Sequence, residues 1–161
     1  MQVQVLQRMR SAKWGNSLLV LAIALSIGGC SKSDGDSGAP VACKEGAAAV
    51  RTALARAPAR VELDGTPLSE CFARGADGAE LQAVGAAYVS AAATLADAAR
   101  ERPNGSEALQ LGYLVGASKR GAAATQGVHD ELARRIEQEA TGVETSSPAY
   151  RRGYEAGRSR G

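Results

Sequence analysis

Large apolar side chains are scarce in this chain, and that shortage restricts it to folds in which backbones pack closely. From Cys30 to Gly161, Leu, Ile, Val and Phe together fill 19 of 132 positions. With a high net charge such a composition would point to disorder, but the charge over this stretch is near zero: 16 Lys and Arg against 17 Asp and Glu. Alanine makes up the apolar deficit. It is the best helix former, and faces rich in it let helices approach one another. The expectation is one all-α domain, a small bundle of four or five helices over residues 43–161.

The periodicity supports this. Lys44 to about Arg56 places Ala47, Val50, Leu54 and Ala57 on one face, and Pro58 ends the pattern. Val61-Glu62-Leu63 is a short extended piece, and Asp64-Gly65 is a turn signal. Thr66-Pro67 reads as the N-cap and first position of a short helix carrying Leu68, Cys71 and Phe72 inward. Asp77 to Glu80 resembles a capping box. It opens a helix to about Arg100 whose seam is Leu81, Val84, Tyr88, Ala91, Leu95 and Ala98, the stepping of near-parallel helix packing. From Asn104 or Ser106 a second stripe continues to about Ala140, with Gly121 and Gly127 as points of bending or breakage. Ser147-Pro148 caps a last helix.

The first thirty residues address the chain to a compartment. Met1 to Ser17 carries Arg8, Arg10 and Lys13 and no acid, and Leu18 to Gly29 is uncharged and apolar. Twelve helical residues rise roughly 18 Å, short of the ~30 Å hydrocarbon core, so a signal peptide is expected over residues 1–29 rather than a span. Leu25-Ser-Ile-Gly-Gly-Cys30 resembles the lipobox of bacterial lipoproteins. That resemblance implies cleavage before Cys30, lipidation of Cys30 with palmitate-type acyl chains, and an extracytoplasmic protein anchored to the cell membrane, or to an outer membrane if the host has one. Two or more chains make such anchoring stable. Residues 30–42 then comprise the lipidated Cys30 and a flexible tether rich in Ser, Gly and Asp. The remainder resembles Ala-rich helical lipoproteins of high-GC bacteria that have no established activity.

Assigning Cys30 to lipid leaves Cys43 and Cys71, which an oxidising compartment would pair. Cleavage also removes the three basic residues of the signal, so the slight basicity of the whole chain does not argue for a nucleic-acid partner.

Four features bear on function. Gly112-Tyr113-Leu-Val-Gly116-Ala-Ser recurs 41 residues later as Gly153-Tyr154-Glu-Ala-Gly157-Arg-Ser. Each interior glycine costs a helix about 1 kcal/mol relative to alanine, so these six residues mark either packing contacts inside the bundle or a docking face for a partner. Arg151, Arg152, Arg158 and Arg160 surround one acid, Glu155. They suit contact with anionic headgroups or an anionic envelope polymer, or simply complement a helix dipole at a solvated end. Tyr88 and Tyr113 are candidates to line a small-ligand pocket between helices. His129 is the single histidine; its neighbours Asp130 and Glu131 do not share its helical face, so an enzyme built on it is a remote alternative. No catalytic, metal-ligating or cofactor-binding set stands out. The leading expectation is a non-enzymatic binding or envelope-organising lipoprotein, with an envelope protein or anionic polymer as partner.

Overall fold

A computed structural model of the chain describes residues 38–74, 78–125 and 127–161. The expected signal, Cys30 and residues 31–37 of the expected tether lie outside the described residues, as does Asp77. The rest is a helical bundle closed by a Cys43–Cys71 disulfide with Cα atoms 5.5 Å apart. No helix among the described residues is long and apolar enough to cross a membrane.

The fold takes in residues 38–42, which composition alone assigns to the tether. Ala39 is buried, and its N–H donates to Glu80 Oε2 at 2.9 Å. Lys44 Nζ holds the other oxygen of the same carboxylate at 2.7 Å. Residues Val41–Lys44 form one 3-10 turn that delivers Cys43 to the core. Gly46, at φ 91°, redirects the chain into helix α1, Ala47–Leu54. Its buried face carries Val50 and Leu54.

A hairpin follows. Asp64 and Gly65 take φ values of 47° and 77°. Positive φ at both central residues is the requirement of the tight turn whose twist suits paired strands. Strands β1, Glu62–Leu63, and β2, Thr66–Pro67, therefore pair antiparallel, Leu63 with Thr66 and Glu62 with Pro67. This corrects the reading of Thr66-Pro67 as a helix start. In a two-stranded ribbon Pro67 sits on an edge, where its missing N–H is no loss. Helix α2, Leu68–Arg74, begins one residue later, with Leu68, Cys71 and Phe72 fully buried.

Helix α3, Gly78–Glu101, lays its buried seam against helix α4, Ser106–Ala123, and the short connection between them makes the two antiparallel. The long stripe expected from 106 to 140 is two helices. Gly127, at φ 68°, separates α4 from α5, Val128–Gln138, which brings the count of α-helices among the described residues to six. Helix α6, Pro148–Arg160, starts where Ser147 Oγ accepts the Tyr150 N–H at 3.2 Å and Pro148 takes the first turn. The loop between α5 and α6 is strapped by Arg100 of α3, whose guanidinium donates to the carbonyls of Glu139 (3.1 Å) and Thr141 (2.9 Å).

Helix α4 is the axis of the domain. Every residue from Leu111 to Ser118 is buried, so it is enclosed on all sides. Two tyrosines tie other elements to this core. Tyr113 of α4 accepts the Val61 N–H at 3.0 Å and so holds the hairpin. Tyr88 of α3 donates to Leu68 O at 2.8 Å and so fixes the first turn of α2. Tyr88 stacks on Phe72 at 5.8 Å between centroids, and Phe72 meets the edge of His129 at 5.9 Å.

Candidate functional site: the outer face of the last helix

The repeated glycines decide how α6 sits. A Cβ built on Gly112 would fall inside the van der Waals shell of Tyr150 O and 3.0 Å from Tyr154 N. On Gly116 it would meet Tyr154 O, on Gly153 Leu109 O, and on Gly157 Tyr113 O. Each clash is with backbone, which cannot rotate aside. The hydrogen that replaces Cβ in each glycine points at a carbonyl oxygen, the arrangement of a Cα–H···O contact. The two copies of the motif thus face each other. Adding 41 to Gly112 and subtracting it from Tyr150 converts the first contact into the third. The same shift relates the second to the fourth. The contacts advance together along both helices, so α4 and α6 run parallel about a local pseudo-two-fold axis.

With its glycine face turned to α4, α6 presents Arg151, Arg152 and Arg158 to solvent, while Arg160, seven positions after Gly153 on the same stripe, is exposed because it lies at the helix end. Seven cations elsewhere find acids, while exposed Arg51 and Arg56 find none among the described residues. Lys44 pairs with Glu80, Arg60 with Glu62, Arg100 with Asp97 and Arg102 with Glu107. Lys119 pairs with Glu137, and Arg134 and Arg135 share Glu131. The four arginines of α6 pair with no carboxylate among the described residues. Glu155 lies between them on the helix and leaves them uncompensated at short range. Arg151 and Arg158, seven residues apart, form one row. Arg152 and Arg160 both border a shallow groove of about 650 Å³ against Pro58 and Ala59. Arg120 of α4 closes the helix end by donating to the carbonyls of Arg158 (3.2 Å) and Ser159 (2.6 Å), a cation on the negative end of a dipole.

Tyr88 and Tyr113, the candidates to line a small-ligand pocket between helices, are core residues. Both rings are fully buried and both hydroxyls are taken by backbone groups of distant segments. Burial pushes both phenols above the ordinary tyrosine range. The structure instead opens a cavity of about 450 Å³ between the end of α5, the loop after it and α6, with Tyr150 and Tyr154 in its lining. Sequence reasoning passed over this place. The available signal was two tyrosines four apart, next to a loop carrying Thr141 and Thr145. His129 stands at the start of α5, half-buried, its Nε2 buried with no hydrogen-bond partner among the described residues. No group of three His, Cys, Asp or Glu side chains comes together among those residues. Cys30 lies outside them. Compared with known proteins, the chain matches no family model, no curated protein and no solved structure.

Proposed function

We propose that the protein is a lipid-anchored extracytoplasmic lipoprotein with a non-enzymatic binding and envelope-organising role, and that the outer face of α6 lies against the anionic headgroups of the bilayer that carries it. The observation that supports this most is the concentration of four exposed arginines in ten residues of one helix, none paired with an acid among the described residues, whereas seven cations elsewhere are matched. The sequence supports the anchor through Ile27-Gly-Gly-Cys30. Eight positions separate Cys30 from Gly38, where the described fold begins. Fully extended they reach at most ~29 Å, so an anchored domain never leaves the neighbourhood of the headgroups. Within about 8 Å of an anionic surface, the range set by screening, each arginine adds about 1 kcal/mol of attraction.

Two measurements test the reading. Cells expressing the chain should incorporate a palmitate analogue at Cys30, and Cys30→Ser should abolish labelling and release the protein from membranes. The unlipidated Cys30→Ser protein should co-sediment with vesicles containing phosphatidylglycerol and not with pure phosphatidylcholine. Arg152→Glu with Arg160→Glu should weaken that binding by more than roughly tenfold. Equal binding to both vesicle types, or retention by an anionic wall polymer in place of vesicles, would remove headgroups as the target.

A further inference from the structure

The cavity between α5 and α6 has a chemistry of its own, apart from the anchor, and shares only Arg151 with the cationic face. Three tyrosines are buried or nearly so: Tyr88, Tyr113 and Tyr150. The first two spend their hydroxyls on backbone groups, as buried tyrosines do. Tyr150 does not. Its hydroxyl makes no hydrogen bond among the described residues, yet it is not sealed from solvent and the residue lines the cavity. Burial, the Glu137 carboxylate and the Tyr154 phenol push the Tyr150 phenol up to about 12, so it stays a neutral hydroxyl, able both to donate and to accept. Tyr154, Thr141 and Thr145 line the same cavity, and their hydroxyls also lack a protein partner among the described residues.

The charges around these four hydroxyls are balanced. Glu137 is neutralised by Lys119 at 2.6 Å, and Arg151 faces the cavity together with Glu155. The site therefore favours neither an anion nor a cation. It offers the half-buried ring of Tyr154, one face of which carries Lys119 at 5.9 Å, the edge of the buried Tyr150, hydroxyls that donate or accept, a guanidinium that donates and carboxylates that accept. A volume of about 450 Å³ falls within the range of small-molecule sites, roughly 300–1,000 Å³. Neutral ligands with apolar ring faces and many hydroxyls are sugars. We infer that the cavity lined by Thr141, Thr145, Tyr150, Arg151 and Tyr154 is a carbohydrate site that accepts a neutral mono- or disaccharide unit.

The test uses the full protein, purified in a detergent without a sugar headgroup, since such headgroups would compete. Saturation-transfer NMR and calorimetric titration are run with glucose, N-acetylglucosamine, cellobiose and chitobiose. At least one should receive saturation from the protein and titrate to a single site. Tyr150→Phe keeps the ring and removes only the hydroxyl, and it should weaken binding by roughly three- to tenfold, the worth of one hydrogen bond. Tyr154→Ala should weaken it further. Thr94→Val, on α3 away from the cavity, should change nothing. Circular dichroism checks that each variant stays folded. The inference is overturned if no sugar receives saturation, if Tyr150→Phe and Tyr154→Ala bind as well as the parent, or if acetate or ethylammonium binds in preference to every sugar. The vesicle test substitutes Arg152 and Arg160, neither of which lines the cavity, and palmitate labelling reads Cys30, so failure here leaves the anchor and the cationic face to their own tests.

Discussion

Gly153→Ala sets two opposed effects against each other, and the structure decides the sign. Position 153 lies inside α6, where alanine is favoured over glycine by about 1 kcal/mol. Against this stands the backbone of α4. The new methyl would lie on top of Leu109 O, 2.8 Å from Leu109 C and 3.0 Å from Tyr113 N, where ordinary contact begins near 3.4 Å. None of these atoms belongs to a side chain that can swing away. The helices must therefore separate, and a gap of 0.5–1 Å forfeits about a quarter to a half of the dispersion attraction across it. Overpacking of this kind costs about 1–3 kcal/mol. Breaking a Cα–H···O bond along the seam adds about 0.5–1 kcal/mol. The net expectation is a destabilisation of about 0.5–3 kcal/mol, a fall in Tm of roughly 2–15 °C for a domain of this size.

Two glycines provide internal controls for that argument. A Cβ at Gly85 would meet only the Leu132 side chain, its nearest atom at 3.0 Å, and leucine can rotate. Gly85→Ala should be close to neutral. At Gly78, in the first turn of α3, nothing lies within 4 Å. Gly78→Ala should be neutral or stabilise by up to about 1 kcal/mol. Urea denaturation followed by far-ultraviolet circular dichroism, with the disulfide intact, ranks the three. If Gly153→Ala proves as stable as Gly78→Ala, the close approach of α4 and α6 is wrong.

Reducing Cys43–Cys71, or replacing both with Ser, should lower stability by about 3–4 kcal/mol in the chain-entropy account of a 28-position loop, read as a shift in urea midpoint with and without reductant. Tyr113→Phe leaves the buried Val61 N–H without its acceptor and should cost about 1–3 kcal/mol, with the hairpin amides losing hydrogen-exchange protection first. The Lys44 ammonium, and then the Ala39 N–H, hold the Glu80 carboxyl below its usual value of 4.5. A depressed folded pKa means the contribution is present above 4.5 and is lost as pH falls through the folded value. Denaturation midpoints of the parent should therefore drop on acidification below pH 4.5, and Glu80→Gln should flatten that part of the profile.

Much of the architecture was legible in the residues because period and punctuation agreed. Leu81, Val84, Tyr88, Ala91 and Leu95 marked the inward face of α3, and each is buried. Ser147-Pro148 marked the start of α6. Thr66-Pro67 misled because that dipeptide suits a helix start and a ribbon edge equally well. The choice rests with the turn before it, where both Asp64 and Gly65 have positive φ. The break at Gly127 was legible only as an option, since an apolar stripe at helical spacing passes through a turn without a change of period. The echo at an offset of 41 was plain, but same-face glycines do not say what they face. That copy one meets copy two is a property of the path of α5, not of either motif. The tyrosines failed for a related reason. Tyr88 and Tyr113 find Leu68 and Val61, 20 and 52 positions away, and no local pattern carries such partners. The cavity at Tyr150 draws on a helix end, a loop and a second helix, so it too was invisible to periodicity.

The parallel seam also makes α6 an intramolecular ligand. Its receptor is a bare strip of α4 backbone around Leu109, Gly112, Tyr113 and Gly116, and its linker is the return helix with the loop that Arg100 straps down. A segment held this way is concentrated at its receptor by the linker and needs few side-chain contacts of its own. A chain truncated after residue 147 should therefore expose that strip, and a synthetic peptide of residues 148–161 should bind to it. Severing the α5–α6 loop would turn one folding unit into a two-component complementation system. Its affinity could then be tuned at Gly153 and Gly157 without touching Arg151, Arg152 and Arg158 on the outer face.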